Sequence, residues 1–378
     1  MKILVASDKF KGSLTSNEAC AAITTGWREG ATDGSHEIRC LPIADGGDGI
    51  AETLTKAAGG EWITVTVHGP LGDPITAGYG IIDGGKTAVI EMATASGLAL
   101  LGDGPLDPIR ASTRGTGELI LDALVRGVTE VILGIGGSAT NDGGTGMAIA
   151  LGYRFFDPDK RPLIDLPFEL NQVATIETSD SFACAKVTVA CDVTNPLLGP
   201  RGCTAIYGPQ KGVTPETAAM HETRLARLVE ATGEKGRLAA DTPGAGAAGG
   251  LGFGAMVFLD ATLVPGFDLV SDRLGLVEAV QWADLVITGE GRLDHQSLEG
   301  KGPHGVVELA RASGKLTAAF CGSLGDRSLE SVFGPIVEIS NPQRSLAENM
   351  ADGADLLRVA ARTFAATLSE ISIRTSHA

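Results

Sequence analysis

The chain has 378 residues, more than one hydrophobic core usually serves, and 43% of them are hydrophobic, enough for two large cores. The net charge of −16 sets up a field that repels a nucleic-acid duplex or an anionic membrane, which argues against both as partners. No apolar run approaches the roughly 20 residues of a membrane span.

The six cysteines show no CxxC and no metal spacing. With no signal peptide at the N-terminus, they read as free thiols of a cytoplasmic protein. The 52 glycines sit in short clusters between apolar runs, the pattern of an α/β enzyme with many loops around a site.

Residues 2–6 read as a strand, and Thr15 with Glu18 forms a capping box for a helix to about residue 29. Asp8, Lys9, Lys11 and Ser13 therefore lie at the carboxyl end of a strand, where open α/β sheets bind ligands; a solvated loop is the alternative. A second strand, 37–43, runs into ADGGDG ahead of a helix over 50–58. Asp45 and Asp48 there are helix caps or Mg²⁺ holders acting through water. A third strand covers 62–68, and the breaker cluster at 69–74 marks a domain junction.

Strands follow at 75–82 and 87–92. GIIDGGKT at 80–87 fits the P-loop expression, but strand residues lie on both sides of it, so Asp83-Gly84-Gly85 reads as a hairpin turn. Arg114 opens a helical stretch against the helix dipole, which makes sense if it faces an anion; a surface Arg is the alternative. The apolar run 131–133 then leads into LGIGGSATNDGGTG at 133–146 and a buried helix from 147. A strand, a Gly-rich loop and a helix in that order aim backbone N–H groups at one point. Gly136, Gly137 and Ser138 form the expected anion cradle, with Asn141 beside it.

The strand 186–191 ends in Asp192, with Thr194 and Asn195 placed to orient it, and Lys211 follows in GPQKG. Residues 214–232 read as an amphipathic helix with no site signal. The Gly/Ala run 244–254 fits G-x-G-x-x-G but follows no strand; it reads as a flexible run that could approach a ligand closely. Beyond 265 come helical segments over 267–282 and a strand at 285–288 with Glu290 and Asp294 at its end. Lys301 opens a helix to 312. Strands at 316–321 and 336–339 and a last helix at 356–368 complete the chain. The expected fold is α/β: a Rossmann-like parallel-sheet domain (1–70 plus 265–378) interrupted by an inserted second α/β domain (71–264) that carries the Gly-rich loops.

Carboxylates and lysines beside glycines at strand ends suit phosphoryl transfer. Cations and N–H dipoles bind phosphate, carboxylates carry Mg²⁺, and one carboxylate takes the proton of a hydroxyl. Asp192 is the expected base, with Asp294 as rival, and Lys11 binds an anionic group. The six histidines show no metal spacing and no Ser–His–Asp arrangement. A sugar-acid dehydrogenase and a non-catalytic small-acid sensor are the competing classes.

The chain resembles the bacterial glycerate kinases of type I. The matching stretches include SDKFKGSL at 7–14, PIADGGDG at 42–49, STRGTGELI at 112–120 and GIGGSATNDGGTGMA at 134–148. They continue with ACDVTNPLLGP at 190–200, GPQKG at 208–212, PGAGAAGGLG at 243–252 and ITGEGRLDHQS at 287–297. Lys9 departs from the pattern, where a small polar residue is expected, and so does Asp48, where Glu is usual.

The resemblance implies ATP-dependent phosphorylation of D-glycerate with Mg²⁺, mainly to 2-phosphoglycerate; attack by the 3-hydroxyl is the alternative. The partners it implies are small molecules. Oligomeric state is left open, a homo-oligomer included. On chemical grounds the expected site set is Asp192, Lys11 and Asp294 for catalysis, and Asp8, Lys9, Ser13, Arg114 and Asn195 for the substrate. Gly136, Gly137, Ser138, Asn141, Lys211, Glu290 and Lys301 are expected to hold phosphate or nucleotide, and Asp45 and Asp48 the metal.

Overall fold

The computed structural model describes residues 1–31, 36–44, 49–178, 185–298 and 302–376. The chain divides into two compact units, Met1–Asp45 with Phe267–Ala378, and Gly46–Gly266. In chain order the strands are β1 (Lys2–Val5), β2 (Glu37–Cys40), β3 (Glu61–His68), β4 (Pro74–Ile82), β5 (Thr87–Glu91), β6 (Glu130–Gly134) and β7 (Arg154–Phe156). They continue with β8 (Thr175–Glu177), β9 (Lys186–Ala190), β10 (Thr262–Val264), β11 (Leu285–Leu293), β12 (Leu316–Leu324) and β13 (Ile336–Glu338).

The first unit is built on a five-stranded sheet of order β13-β12-β11-β1-β2, parallel throughout. Its central strands β1, β11 and β12 are largely buried, which is why their middles read as continuous apolar runs, whereas the edge strand β2 is mostly exposed. Ile3 and Val5 of β1 join one core with Trp27, Ile287 and Phe320, while Leu4 and Ala6 join the opposite core with Phe267, Val286 and Val306. On the first face the helices Ser16–Gly30 and Gly353–Ser376 pack closely. A Cβ at Gly26 would lie 2.0 Å from the carbonyl oxygen of Arg358, so only glycine permits that approach. The Thr15–Glu18 capping box is present at the start of the earlier helix.

The second unit carries a six-stranded sheet of order β10-β9-β6-β5-β4-β3. β10, β9, β6 and β5 run parallel; β4 is antiparallel to β5, and β3 to β4. This corrects the sequence reading at one boundary, because the strand expected to close the first domain is β3, which pairs along its whole length with β4. GIIDGGKT lies across the β4–β5 hairpin, with Asp83–Gly85 as its turn, so it is no P-loop. The Gly/Ala run leads into the buried helix Ala247–Leu259, apolar all round, whose residues 248–250 take positive φ rather than helical backbone. The expected loop at 289–294 is for the most part strand, since β11 continues to Leu293 beside β12. Among the described residues no helix is long and apolar enough to cross a membrane.

Candidate active site

In the second unit the parallel strands deliver their loops to one sheet edge. Glu91 of β5 is level with Gly134 of β6, Gly134 with Ala190 of β9, and Ala190 with Val264 of β10. The Gly-rich loop and Asp192 thus leave neighbouring strands at their carboxyl ends, the ligand-binding edge of an open α/β sheet.

The loop after β6 is fixed from beneath. Asp142 is fully buried and accepts from Thr113 N at 2.9 Å, Thr113 Oγ1 at 2.8 Å, Gly144 N at 3.0 Å and Gly146 N at 3.1 Å. It thereby joins the starts of the helices Arg114–Val125 and Thr145–Ala150, where a negative charge also meets two helix dipoles. Burial pushes its carboxyl above the usual range, against the pull of those four donors.

Higher in the loop, Leu98 N donates to Gly137 O and Ala139 N to Ser96 O. The N–H groups of Gly136, Gly137 and Ser138 meet no acceptor among the described residues. Gly137 has φ +72°, a conformation that glycine adopts without strain.

Lys211 is 2% exposed and donates to Ser138 Oγ at 2.6 Å and Thr140 O at 2.7 Å. Burial lowers its pKa to about 8. It lies under the loop rather than on an open phosphate-binding surface. Asn141, expected to contact phosphate, is fully buried: its amide donates to Thr204 Oγ1 and meets His221 Nδ1, and its oxygen accepts from Cys203. No face of Asn141 is left for a ligand, and it leaves the candidate set.

Asp192 is exposed, and its Oδ1 accepts from Gly266 N at 2.8 Å. Asn195 does not orient it. The Asn195 amide donates to Arg201 O and accepts from Tyr207, so it shapes the following loop and is removed from the substrate set. Arg114 donates to Glu118 Oε1 one turn along its helix, and Glu118 also holds His68. That ion pair draws the guanidinium along its own helix, so the position of Arg114 does not require an anion.

In the first unit, Asp8, Glu290, Arg292, Asp294, Ser297 and Gly302 line a cavity of about 260 Å³. Asp8 follows β1 and Glu290 belongs to β11, the strand beside it. Asp8 Oδ1 accepts from Lys9 N at 2.6 Å. Both oxygens of Asp294 are engaged, by Arg292 Nε and Gln296 N. Lys11 is exposed, and its backbone lies against Gly291, whose Cβ would sit 3.0 Å from Lys11 N. Ser13 donates to Met350 O at 2.6 Å, a tether to the C-terminal segment rather than a ligand contact. Asp45, Asp48 and Lys301 lie outside the described residues.

Residues 3–369 match the model of the Glycerate kinase family. The chain belongs to the glycerate kinase family. It is 43% identical to a glycerate kinase of Halalkalibacterium halodurans, over 97% of this chain and 98% of that one. It is 41% identical to a protein of Escherichia coli K12 named glycerate 2-kinase, over 98% of each. A crystal structure from Salmonella typhimurium LT2, named as a glycerate kinase 2, superposes with a TM-score of 0.87 at 39% identity, covering 98% of this chain and 99% of that one. The protein is therefore a kinase, and the dehydrogenase and sensor readings fall away.

For this member of the glycerate kinase family, three groups escaped the sequence reading. Glu91 accepts from Gly49 N and Ala51 N and so caps the helix Ile50–Ala57. His221 and Arg224 are buried on the helix Pro215–Ala231, expected to carry no site signal. Burial lowers the His221 pKa to about 4, so its ring is neutral at pH 7. Their signal was present: polar residues stand at the spacing of Leu225 and Leu228, on the apolar stripe.

Proposed function

We propose that the protein phosphorylates D-glycerate at its 2-hydroxyl with ATP, giving 2-phospho-D-glycerate, and that Asp192 is the base. The observation that carries this reading is the placement of Asp192 one strand away from the Gly-rich loop, at the same edge of the sheet. The N–H groups of Gly136, Gly137 and Ser138, which meet no acceptor among the described residues, bind a reactant's anionic oxygens. Asp192, held through Oδ1 by Gly266 N, takes the hydroxyl proton. The name of the E. coli relative, glycerate 2-kinase, favours the 2-position.

Mg²⁺ takes one or two carboxylates together with phosphate oxygens. Among the described residues no cluster of three or more His, Cys, Asp or Glu is arranged to hold a metal. Asp8 and Glu290, which line the first-unit cavity together, are two carboxylates of the kind that smaller requirement calls for. A Mg²⁺ ion bound there would supply positive charge to neutralise phosphate oxygens. Lys11, exposed after β1, supplies a cation for a reactant carboxylate or phosphate.

Two experiments test the proposal. ³¹P NMR of the product separates the 2-phosphate from the 3-phosphate, and exclusive 3-phosphoglycerate refutes the regiochemistry. For the base, Asp192→Asn should slow the chemical step in single turnover by about 10²-fold or more, with little change in reactant affinity. A chemical step as fast as the parent's removes Asp192 from the role.

A further inference from the structure

Ser138 has a cation behind it and an uncommitted proton. Its Oγ accepts from the Lys211 ammonium at 2.6 Å, and a serine hydroxyl carries a single proton, which must therefore point away from Lys211. Among the described residues that proton reaches no acceptor. The three N–H groups of Gly136, Gly137 and Ser138 are in the same condition.

Lys211 itself is held by neutral oxygens, Ser138 Oγ and Thr140 O, with no carboxylate in ion-pair contact among the described residues. A buried ammonium in such company is costly unless it serves something. Asp142, the nearby buried carboxylate, already takes four donated bonds. A hydroxyl that accepts from a cation is polarised and becomes a stronger donor through its own proton.

We propose that the Ser138 hydroxyl donates to an anionic oxygen of a bound reactant, a phosphate or a carboxylate, and that Lys211 is the positioning residue that fixes this hydroxyl from behind. The proposal rests on the reading of this loop as the anion site of the kinase, and it adds a side-chain donor to the backbone cradle. Lys211 does not touch the reactant in this arrangement. Its effect passes through Ser138.

The test compares the full-length parent with Ser138→Ala, Ser138→Thr, Lys211→Met and the Ser138→Ala/Lys211→Met double variant. Steady-state kinetics with glycerate and ATP are combined with calorimetric binding of glycerate and of ADP, each alone. Ser138→Ala should lower kcat/KM about 10- to 100-fold, the range for losing a neutral donor to a charged group. It should also weaken binding of one reactant. Weaker ADP binding identifies a phosphate oxygen and weaker glycerate binding a carboxylate; either supports the proposal. Ser138→Thr, which keeps the hydroxyl, should restore most of the loss.

The double variant should be no worse than Ser138→Ala, because the lysine acts through the serine. Ser138→Ala within twofold of the parent in kcat/KM and in both affinities overturns the proposal. So does a double variant whose loss is the product of the two single losses. Should Lys211→Met fail to fold, the two serine variants decide. A parent that binds both reactants but transfers no phosphoryl group refutes the kinase reading instead, and the binding arms still judge Ser138.

Discussion

Replacing Asp142 by Asn probes the anchor beneath the Gly-rich loop. One carboxylate oxygen accepts three donors, Thr113 N, Thr113 Oγ1 and Gly146 N, and the other accepts Gly144 N. An amide in the better of its two orientations keeps its oxygen toward the three donors and turns its NH₂ toward Gly144 N–H. That removes one charge-assisted bond, worth about 1.5–3 kcal/mol, and leaves two buried donors facing each other. The three remaining bonds weaken as their acceptor loses its charge. Relief of the carboxylate's burial offsets part of this.

The net expectation is a loss of about 2–4 kcal/mol. For a unit of this size that lowers Tm by about 5–15 °C. Thr113 Oγ1 also accepts from Met147 N, so the disturbance reaches the helix Thr145–Ala150. Calorimetric melting of the parent and Asp142→Asn measures the effect, with Asp103→Asn, an exposed site in the same unit, as the control expected to shift little. Below its melting range the variant should still lose kcat/KM, because the loop is no longer fixed from beneath. A variant that melts within about 1 °C of the parent would refute the reasoning.

The Lys211 pKa of about 8 lies below its ordinary 10.5, so between those values the unfolded chain binds more protons and stability rises with pH. From pH 7 to pH 9, urea midpoints should show the parent gaining about 1 kcal/mol relative to Lys211→Met, and a difference flat with pH counts against a desolvated ammonium. Cys40 is exposed, and a hydrogen bond with Cys20, aided by Thr24 and Arg28, lowers its pKa to about 7. With limiting iodoacetamide near pH 7.5, peptide mass spectrometry should find Cys40 alkylated ahead of Cys20, Cys203 and Cys321, which are buried with raised pKa values; equal labelling contradicts this.

The elements were legible where local physics determines them. The central parallel strands showed as short apolar runs because both faces are buried, and the Thr15–Glu18 box marked its helix because the two partners stand three residues apart. The assignment of β3 was not legible, since a strand's own residues do not say which sheet it joins. The same limit hid the support of the loop. Asp142 meets Thr113 across 29 residues, Lys211 meets Ser138 across 73, and Asn141 meets His221 across 80. The sequence places polar residues near strand ends, but only the fold distinguishes a residue held under the loop, such as Asn141, from one at the open edge, such as Asp192.

Glycine content shows the same distinction. Gly249 at φ +65° would carry a Cβ 1.9 Å from Thr140 O, and a Cβ on Gly254 would lie 2.5 Å from Gly143 O. Gly143 N donates to Gly249 O at 3.0 Å. The start of the helix Ala247–Leu259 is thus pressed, backbone on backbone, against the stretch that leads from the loop into the helix Thr145–Ala150. Both glycine-rich segments therefore serve first to exclude side chains from a tight contact. Such a contact, with Asp142 and Lys211 beneath, rigidifies the segment without covering the three N–H groups at 136–138. A loop ordered before its ligand arrives needs little further ordering on binding, and donors held at fixed positions stabilise developing charge best. On this reasoning the value of the glycines to catalysis lies in the rigidity they permit, and a substitution at Gly249 harms the anion site although its side chain points at protein.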